Sequence, residues 1–245
     1  MKRTEKTWTT SRIKARIKMK FTKDTFKYFE LAKKNKNNKA WFEKNKALYE
    51  TSVKLPVGAL LLEIGKKYQK ELPRITVSPD KITRPLRPKN RADENGFVKA
   101  NTHFSLAEKK TSLFEWNPGI YFQVGIDEDD CFFGLGLYMV SSRQTSLLRN
   151  ALVEDFDTID EIMSSRRLKK VWGGLKGDIY KRFPKGYSPD SPSAKYLKHK
   201  QFYFGRSFTR SQVLDPKFSA QLVKDLGVAL PFFSWIRSTV GTYKK

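Results

Sequence analysis

The sequence predicts an α+β fold, with a central antiparallel sheet, a helical N-terminal layer and a long C-terminal helix packed back on the sheet. Three observations lead to this prediction. Apolar residues follow helical spacing over residues 22–72, strand patterns dominate residues 120–139, and a long helical pattern covers residues 215–240. Helices that are segregated from an antiparallel sheet in this way are typical of the α+β class.

The N-terminal layer begins with a predicted helix that is capped by Thr22 or Asp24 and ends at the asparagine-rich residues 35–39. A second helix carries Trp41 and Phe42, which we interpret as core residues rather than stacking platforms.

Pro56 is expected to break or kink this second helix, because proline lacks the N–H that a helix interior requires. Residues 58–72 then form a further amphipathic helix.

The clearest predicted strands form a hairpin. Apolar and polar residues alternate over residues 120–126, and a partner strand over residues 131–139 follows an acidic turn, residues 127–130, that we expect to be solvated. Gly134 and Gly136 lie in this second strand, where glycine indicates close approach of two backbones. They do not form a dinucleotide-binding loop, because the third glycine of that motif is missing.

Helices, loops and a last strand are predicted after the hairpin. Ser141 or Ser142 caps one helix, and residues 155–163 form a shorter one. The glycines and prolines of residues 173–192 indicate a loop-rich segment, and a strand over residues 201–207 precedes the C-terminal helix.

No internal repeat or low-complexity linker divides the sequence, so we expect one domain over residues 21–245 behind a basic N-terminal arm at residues 1–20. The arm has the composition of a disordered or weakly helical segment, and a targeting leader is the alternative.

Because no apolar run is long enough to cross a bilayer, we expect a cytoplasmic protein without a membrane span. The single cysteine, Cys131, excludes an intramolecular disulfide and fits a reducing compartment.

The formal net charge is +24, and the charge is unevenly distributed. Residues 1–50 contain 16 lysines and arginines against 5 acidic residues, and residues 166–206 contain 12 against 2, whereas residues 106–165 contain 4 against 11. If these blocks lie on different faces, a basic face is available to a polyanion. A lysine-rich background explains the same total without any function.

The candidate functional residues are concentrated between residues 84 and 105. Several cations follow one another there, and polar side chains then recur at every second position, which places them on one face of a strand. Arginine offers paired donors to phosphate or carboxylate, and lysine and amides add further donors. The predicted anion-binding residues are Arg84, Arg87, Arg91, Lys99, Asn101 and His103, with Tyr121, Gln123 and Tyr138 as a candidate pocket wall.

We predict no metal site, no cofactor and no identifiable catalytic residue. His103 and His199 are the only histidines, which is too few ligands for a histidine metal site unless both converge. The acidic turn lacks the alternating ligands and the glycine of a calcium loop. Cys131 begins an apolar strand and is expected to be a small core residue.

Spaced motifs cover roughly residues 21–240. They are the segment at residues 21–49 with its Asn37, Asn38, Trp41, Phe42 and Asn45, the runs at residues 119–122 and 134–137, Leu148 with Arg149, and the runs at residues 183–187 and 200–202. In the order and spacing of these motifs the sequence resembles the bacterial and fungal family catalogued as domain of unknown function 2461. The resemblance implies no established activity, because the family is named for lacking one.

The polar motif of that family runs through three arginines, an Asp-Lys pair, a lysine and an asparagine. At the matching positions this sequence has Arg84, Arg87, Asn90, Glu94, Asn95, Lys99 and Asn101. The resemblance therefore implies that the cation-rich character is kept, while the third arginine and the Asp-Lys pair are replaced.

Three classes of function are compatible with these observations. We favour a binding protein or enzyme with a cationic pocket for a phosphorylated or carboxylated small molecule, because the matching residues are clustered and spaced. The alternative is a protein that binds nucleic acid or another polyanion without reading its sequence. The third is a structural or interaction module in which the arginines pair with the acidic middle segment. The sequence leaves the oligomeric state and the presence of enzymatic activity open.

Overall fold

The computed structural model describes residues 20–92, 95–108, 116–127 and 130–241. Within these ranges the chain forms helices and a four-stranded antiparallel sheet, which confirms the predicted α+β class. The predicted basic arm, apart from Lys20, lies outside the described residues.

The elements follow one another in an order close to the predicted one. The N-terminal layer contains α1 (Lys23–Lys34), α2 (Lys39–Tyr49) and α3 (Leu55–Tyr68). The sheet consists of β1 (Asn101–Ala107), β2 (Gly119–Gly125), β3 (Phe132–Leu137) and β4 (Phe202–Ser207). Between β3 and β4 lie α4 (Ser142–Glu154), α5 (Phe156–Ser164), α6 (Arg166–Trp172) and the short α7 (Ala194–Leu197), and β4 is followed by α8 (Arg210–Val213) and α9 (Phe218–Val240).

The N-terminal helices begin at residues whose side chains satisfy free backbone groups. The N–H of Thr22 donates to the Thr25 hydroxyl at 3.1 Å, as in a capping box, and the Asn38 side chain accepts the Trp41 N–H at 2.9 Å. Thr22 is therefore the N-cap of α1. Phe42 is buried and Trp41 packs against the core, which confirms the core interpretation of this pair.

The break or kink predicted at Pro56 takes the form of a wider helical turn just before it. Residues Glu50–Lys54 form a π-helical turn in which the Leu55 N–H donates to the Glu50 carbonyl, and the helix continues directly into α3. Pro56 lies in the first turn of α3, where helices tolerate the missing N–H. Helix α3 therefore begins at Leu55, before its predicted start at residue 58.

The sheet has the strand order β1-β2-β3-β4, and each neighbouring pair is antiparallel. Phe104 pairs with Phe122, and Phe122 pairs with Phe133, so that buried aromatic rings stand side by side on one face. Helix α9 covers this face, with the rings of Phe204 and Phe232 only 4.6 Å apart. The predicted hairpin and the predicted packing of the C-terminal helix are both confirmed.

The C-terminal helix begins three residues later than predicted. The Asp215 carboxylate accepts the Lys217 N–H at 2.7 Å, which stabilises a turn between α8 and α9. Helix α9 is 23 residues long, but it contains Lys224, Asp225 and Arg237. Neither α9 nor any other helix in the described ranges has the length and apolar character that crossing a bilayer requires.

An irregular segment at residues 82–87 pairs with the chain that leads into β1. The Thr83 N–H donates to the His103 carbonyl at 2.9 Å, and the Lys99 N–H donates to the Pro85 carbonyl at 2.9 Å. The pairing ends where the Arg87 N–H donates to the Phe97 carbonyl at 2.8 Å. It brings the arginines of this segment beside Lys99, at the edge of the sheet.

Candidate functional site

The face of the sheet that is turned away from α9, which we call the outer face, carries the polar strand positions. Its side chains include Asn101, His103, Ser105, Tyr121, Gln123, Phe132 and Tyr203, interspersed with five glycines, Gly119, Gly125, Gly134, Gly136 and Gly205. The alternation predicted for residues 101–105 is confirmed. Thr102 and Phe104 are buried, whereas Asn101 and His103 are half-buried and Ser105 is exposed.

Arg84, Arg87 and Lys99 form a cluster at the edge of this face, which we call the cationic corner. Burial lowers the pKa of Lys99, and the positive charges of Arg87 and then Arg84 lower it further. Such coupling requires the three charges to lie near one another. Among the residues that the structure describes, no carboxylate forms an ion pair with any of the three. The corner therefore concentrates positive charge that an anion would neutralise.

Arg87 is fixed by the loop that follows it, whereas Arg91 is exposed at the end of a short helix, Lys89–Arg91. One terminal nitrogen of Arg87 donates to the carbonyls of Asn95 and Gly96 at 3.1 and 3.2 Å, which orients the guanidinium. Arg91 is exposed and is not among the charges that lower the pKa of Lys99. The structure thus brings together three of the four predicted cations.

The imidazole of His103 is uncharged near neutral pH. Burial, followed by the positive charge of Lys99, lowers its pKa from 6.5 to about 4. A neutral imidazole still donates one hydrogen bond but adds no charge. His103 therefore contributes to the candidate site as a neutral donor, in contrast to Arg84 and Lys99.

We expect His103 to titrate near pH 4 in the free protein and at higher pH when an anion is bound, because a bound anion offsets the charge of Lys99 and favours the protonated imidazole. An NMR pH titration of the imidazole protons, with and without sulfate, measures both values. Sulfate keeps its charge over this range, and the His199→Gln variant assigns the two histidine signals. A pKa of 6.5 or above in the free protein would contradict this description of the corner.

The same lowered pKa makes stability depend on pH. The unfolded chain takes up this proton near pH 6.5 and the folded chain only near pH 4, so the free energy of unfolding falls as the pH decreases between these values. Above pH 6.5 His103 makes no pH-dependent contribution. The His103→Gln variant, measured by denaturant unfolding at several pH values, should lack this contribution.

A buried carboxylate, that of Asp130, organises the amides of the outer face. Its Oδ1 accepts from Asn101 Nδ2 at 3.1 Å and from Gln123 Nε2 at 2.7 Å, and its Oδ2 accepts from the Asp127 N–H at 3.2 Å. The Tyr121 hydroxyl donates to Gln123 Oε1. Burial and the negative charge of Asp130 raise the pKa of Tyr121 to about 12, so the phenol stays protonated. The amides of Asn101 and Gln123 are thus engaged by a carboxylate of the chain itself.

The prediction that the acidic turn is solvated is wrong for Asp130, which is only 8% exposed. Gly125 provides the space, because a side chain at that position would collide with the Asp130 carboxylate. This arrangement depends on which residues face each other across the hairpin, and the local sequence pattern does not show it. Residues 128 and 129 of the turn lie outside the described residues.

A row of aromatic rings leads across the outer face away from the cationic corner. The ring centroid of Tyr121 lies 5.3 Å from that of His103 and 6.2 Å from that of Phe132. A Cβ atom on Gly134 would stand 2.9 Å from the Phe132 ring, and one on Gly205 would collide with it. The ring of Phe132 therefore lies over two paired glycines. Phe132 is not among the site residues predicted from the sequence, although glycines in two strands are a signal for close packing.

Tyr138 lies away from the other members of the candidate pocket wall. It is 65% exposed and packs on the ring of Tyr203, with a centroid distance of 5.4 Å. Tyr138 follows β3 at the end of the sheet where Gly136 pairs with Gly119. The start of β1, where Asn101 pairs with Gly125, lies at the opposite end of the sheet. Tyr121 adjoins His103, and Tyr138 does not belong to the same part of the face.

Comparison with known proteins identifies a family. A family model described as a conserved hypothetical protein, DUF2461, matches residues 24–235. The chain belongs to this family. No curated protein and no solved structure matches the DUF2461 chain significantly. The matched range includes the whole cationic corner and the whole outer face.

Proposed function

We propose that the DUF2461 chain binds a phosphorylated or carboxylated small molecule at the cationic corner. The observation that carries this proposal is the convergence of Arg84, Arg87 and Lys99, to which no carboxylate in the described part of the chain is ion-paired. Forked arginine donors match the paired oxygens of phosphate and carboxylate groups. The corner suits a binding protein and an enzyme alike, because both must first hold the anion.

The pairing of the acidic middle segment supports an anion site over a purely structural role for the arginines. Asp127 pairs with Lys33 at 2.5 Å, and Asp160 pairs with Lys195 at 2.6 Å. These carboxylates contact lysines outside the cationic corner. Within the described part of the chain the corner therefore keeps its charge, which is available to a ligand.

We expect Arg84→Ala and Lys99→Ala each to weaken the binding of phosphate or citrate by roughly tenfold or more, because each variant removes a charge-assisted hydrogen bond. Isothermal titration calorimetry on the full chain measures the affinity. The matched control is Lys224→Ala, which removes the same charge from an exposed position of α9, on the other side of the sheet. Equal weakening in all three variants would contradict a localised site.

Duplex DNA distinguishes this proposal from non-specific polyanion binding. Binding through phosphate contacts alone weakens steeply with salt, with a slope of about 0.9 per neutralised phosphate. Tight DNA binding that depends on Lys224 as much as on Arg84 would favour the polyanion alternative. Retention of small-anion binding at a salt concentration that releases DNA supports the corner as a pocket.

A further inference from the structure

The outer face carries a row of aromatic rings, between its polar side chains, on the same side of the sheet as the proposed anion site. His103, whose pKa senses the charge of Lys99, is in register with Gln123, and Gln123 is in register with Phe132. The rings of His103, Tyr121 and Phe132 follow one another at centroid distances of 5.3 and 6.2 Å. These rings therefore lie on the face of the sheet at whose edge the cationic corner is located.

The floor under these rings is built from glycine. Gly134 pairs with Tyr121 on one side and with Gly205 on the other, so two glycines lie side by side in the middle of the sheet. The Phe132 ring rests on them, and side chains at either position would displace it. The two glycines therefore make room for the Phe132 ring, which is half-buried and is the group that a planar ligand would contact.

The polar groups of this surface are largely engaged within the chain. The Tyr121 hydroxyl donates to Gln123, whose amide donates in turn to the buried Asp130 carboxylate. A planar ligand group would therefore be recognised by stacking rather than by paired hydrogen bonds. The negative charge of Asp130 also disfavours a second anion in this region, which leaves the cationic corner as the place for the charged end of the ligand.

We propose that the ligand of the cationic corner carries a planar ring together with its anion, and that the chemical class is a nucleoside phosphate. The phosphate is held by Arg84 and Lys99, and the base stacks on the rings of Tyr121 and Phe132. This assignment rests on the proposed function, because it uses the same anion site. Stacking that tolerates any base predicts similar affinities for purine and pyrimidine nucleotides of equal charge.

The test compares adenosine 5′-monophosphate with ribose 5-phosphate, which has the same phosphate and sugar but no base, by calorimetry on the full chain. We expect the nucleotide to bind at least roughly tenfold more tightly, the ratio that one stacked base supplies. Phe132→Leu and Tyr121→Leu should each reduce this ratio while leaving the affinity for ribose 5-phosphate unchanged. Arg84→Ala should weaken both ligands by the same factor.

Phe132→Trp serves as the matched variant. It retains an aromatic ring and should therefore keep the ratio, and it tests the stacking even if Phe132→Leu folds poorly. Equal affinity of the two ligands for the wild-type chain overturns the nucleoside assignment and leaves the anion site standing. A ratio that Phe132→Leu and Tyr121→Leu both preserve also overturns it, because the base then binds elsewhere. Binding of neither ligand overturns the proposed function together with this inference.

Discussion

Replacing Asp225 by alanine is expected to lower the free energy of unfolding by about 3–5 kcal/mol, because it leaves Arg206 as an uncompensated charge in a largely buried site. Asp225 lies on α9 with its side chain 4% exposed, and its Oδ2 accepts from Arg206 Nη2 at 2.5 Å. Gln221 donates to the other carboxylate oxygen at 2.7 Å. Urea unfolding followed by circular dichroism measures the loss.

The size of this effect follows from how many elements the pair connects. Arg206 on β4 also donates to the Val171 carbonyl at 3.0 Å and lies over the Trp172 ring. The Trp172 indole donates to the Asp225 carbonyl at 2.9 Å. The charge pair therefore joins β4, α6 and α9.

Two variants show whether the loss comes from a buried charge. Glu30→Ala removes a carboxylate that pairs with Arg210 at the surface, where both side chains are nearly half exposed, and should cost less than about 1 kcal/mol. The double variant Asp225→Leu with Arg206→Met removes both charges and should recover most of the loss. If Asp225→Ala is no more destabilising than Glu30→Ala, the pair does not hold these elements together.

The sequence was informative wherever a feature depends on neighbouring residues. The hairpin of β2 and β3 and the cap at Thr22 follow from local patterns, and both are present. The pairing of residues 82–87 with Lys99 was not predictable in this way, because Pro85 contributes only its carbonyl and prolines interrupt any strand pattern. The partner of such a segment is decided by the tertiary fold.

The same distinction applies to the candidate site. Arg84, Arg87 and Lys99 were recognisable because they lie close together in the sequence, and the fold brings them together. The burial of Asp130 and the position of Phe132 depend on glycines in facing strands. A sequence pattern shows that a strand contains glycine, but the side chain that fills the resulting space comes from another strand.

The second large effect is expected at Gly136, where an alanine should lower the free energy of unfolding by roughly 3 kcal/mol. Gly136 lies in β3 with a φ of +132°, a conformation that side chains rarely adopt. An added Cβ would collide with the Phe202 carbonyl and stand 2.6 Å from the Tyr203 Cα. Both are backbone atoms of the paired strand, so no side-chain movement relieves the contact.

Gly174 is the matched control, because a Cβ there meets nothing within 4 Å and its φ lies outside the strained range. Gly174→Ala should leave stability unchanged or raise it by up to about 1 kcal/mol, since alanine restricts the unfolded chain. Thermal and urea unfolding of both variants measure the difference. Equal stability of the two would mean that β3 and β4 do not approach as closely as described. A large difference supports the tight sheet that also provides the glycine floor under Phe132, because Gly134 and Gly205 lie in the same pair of strands.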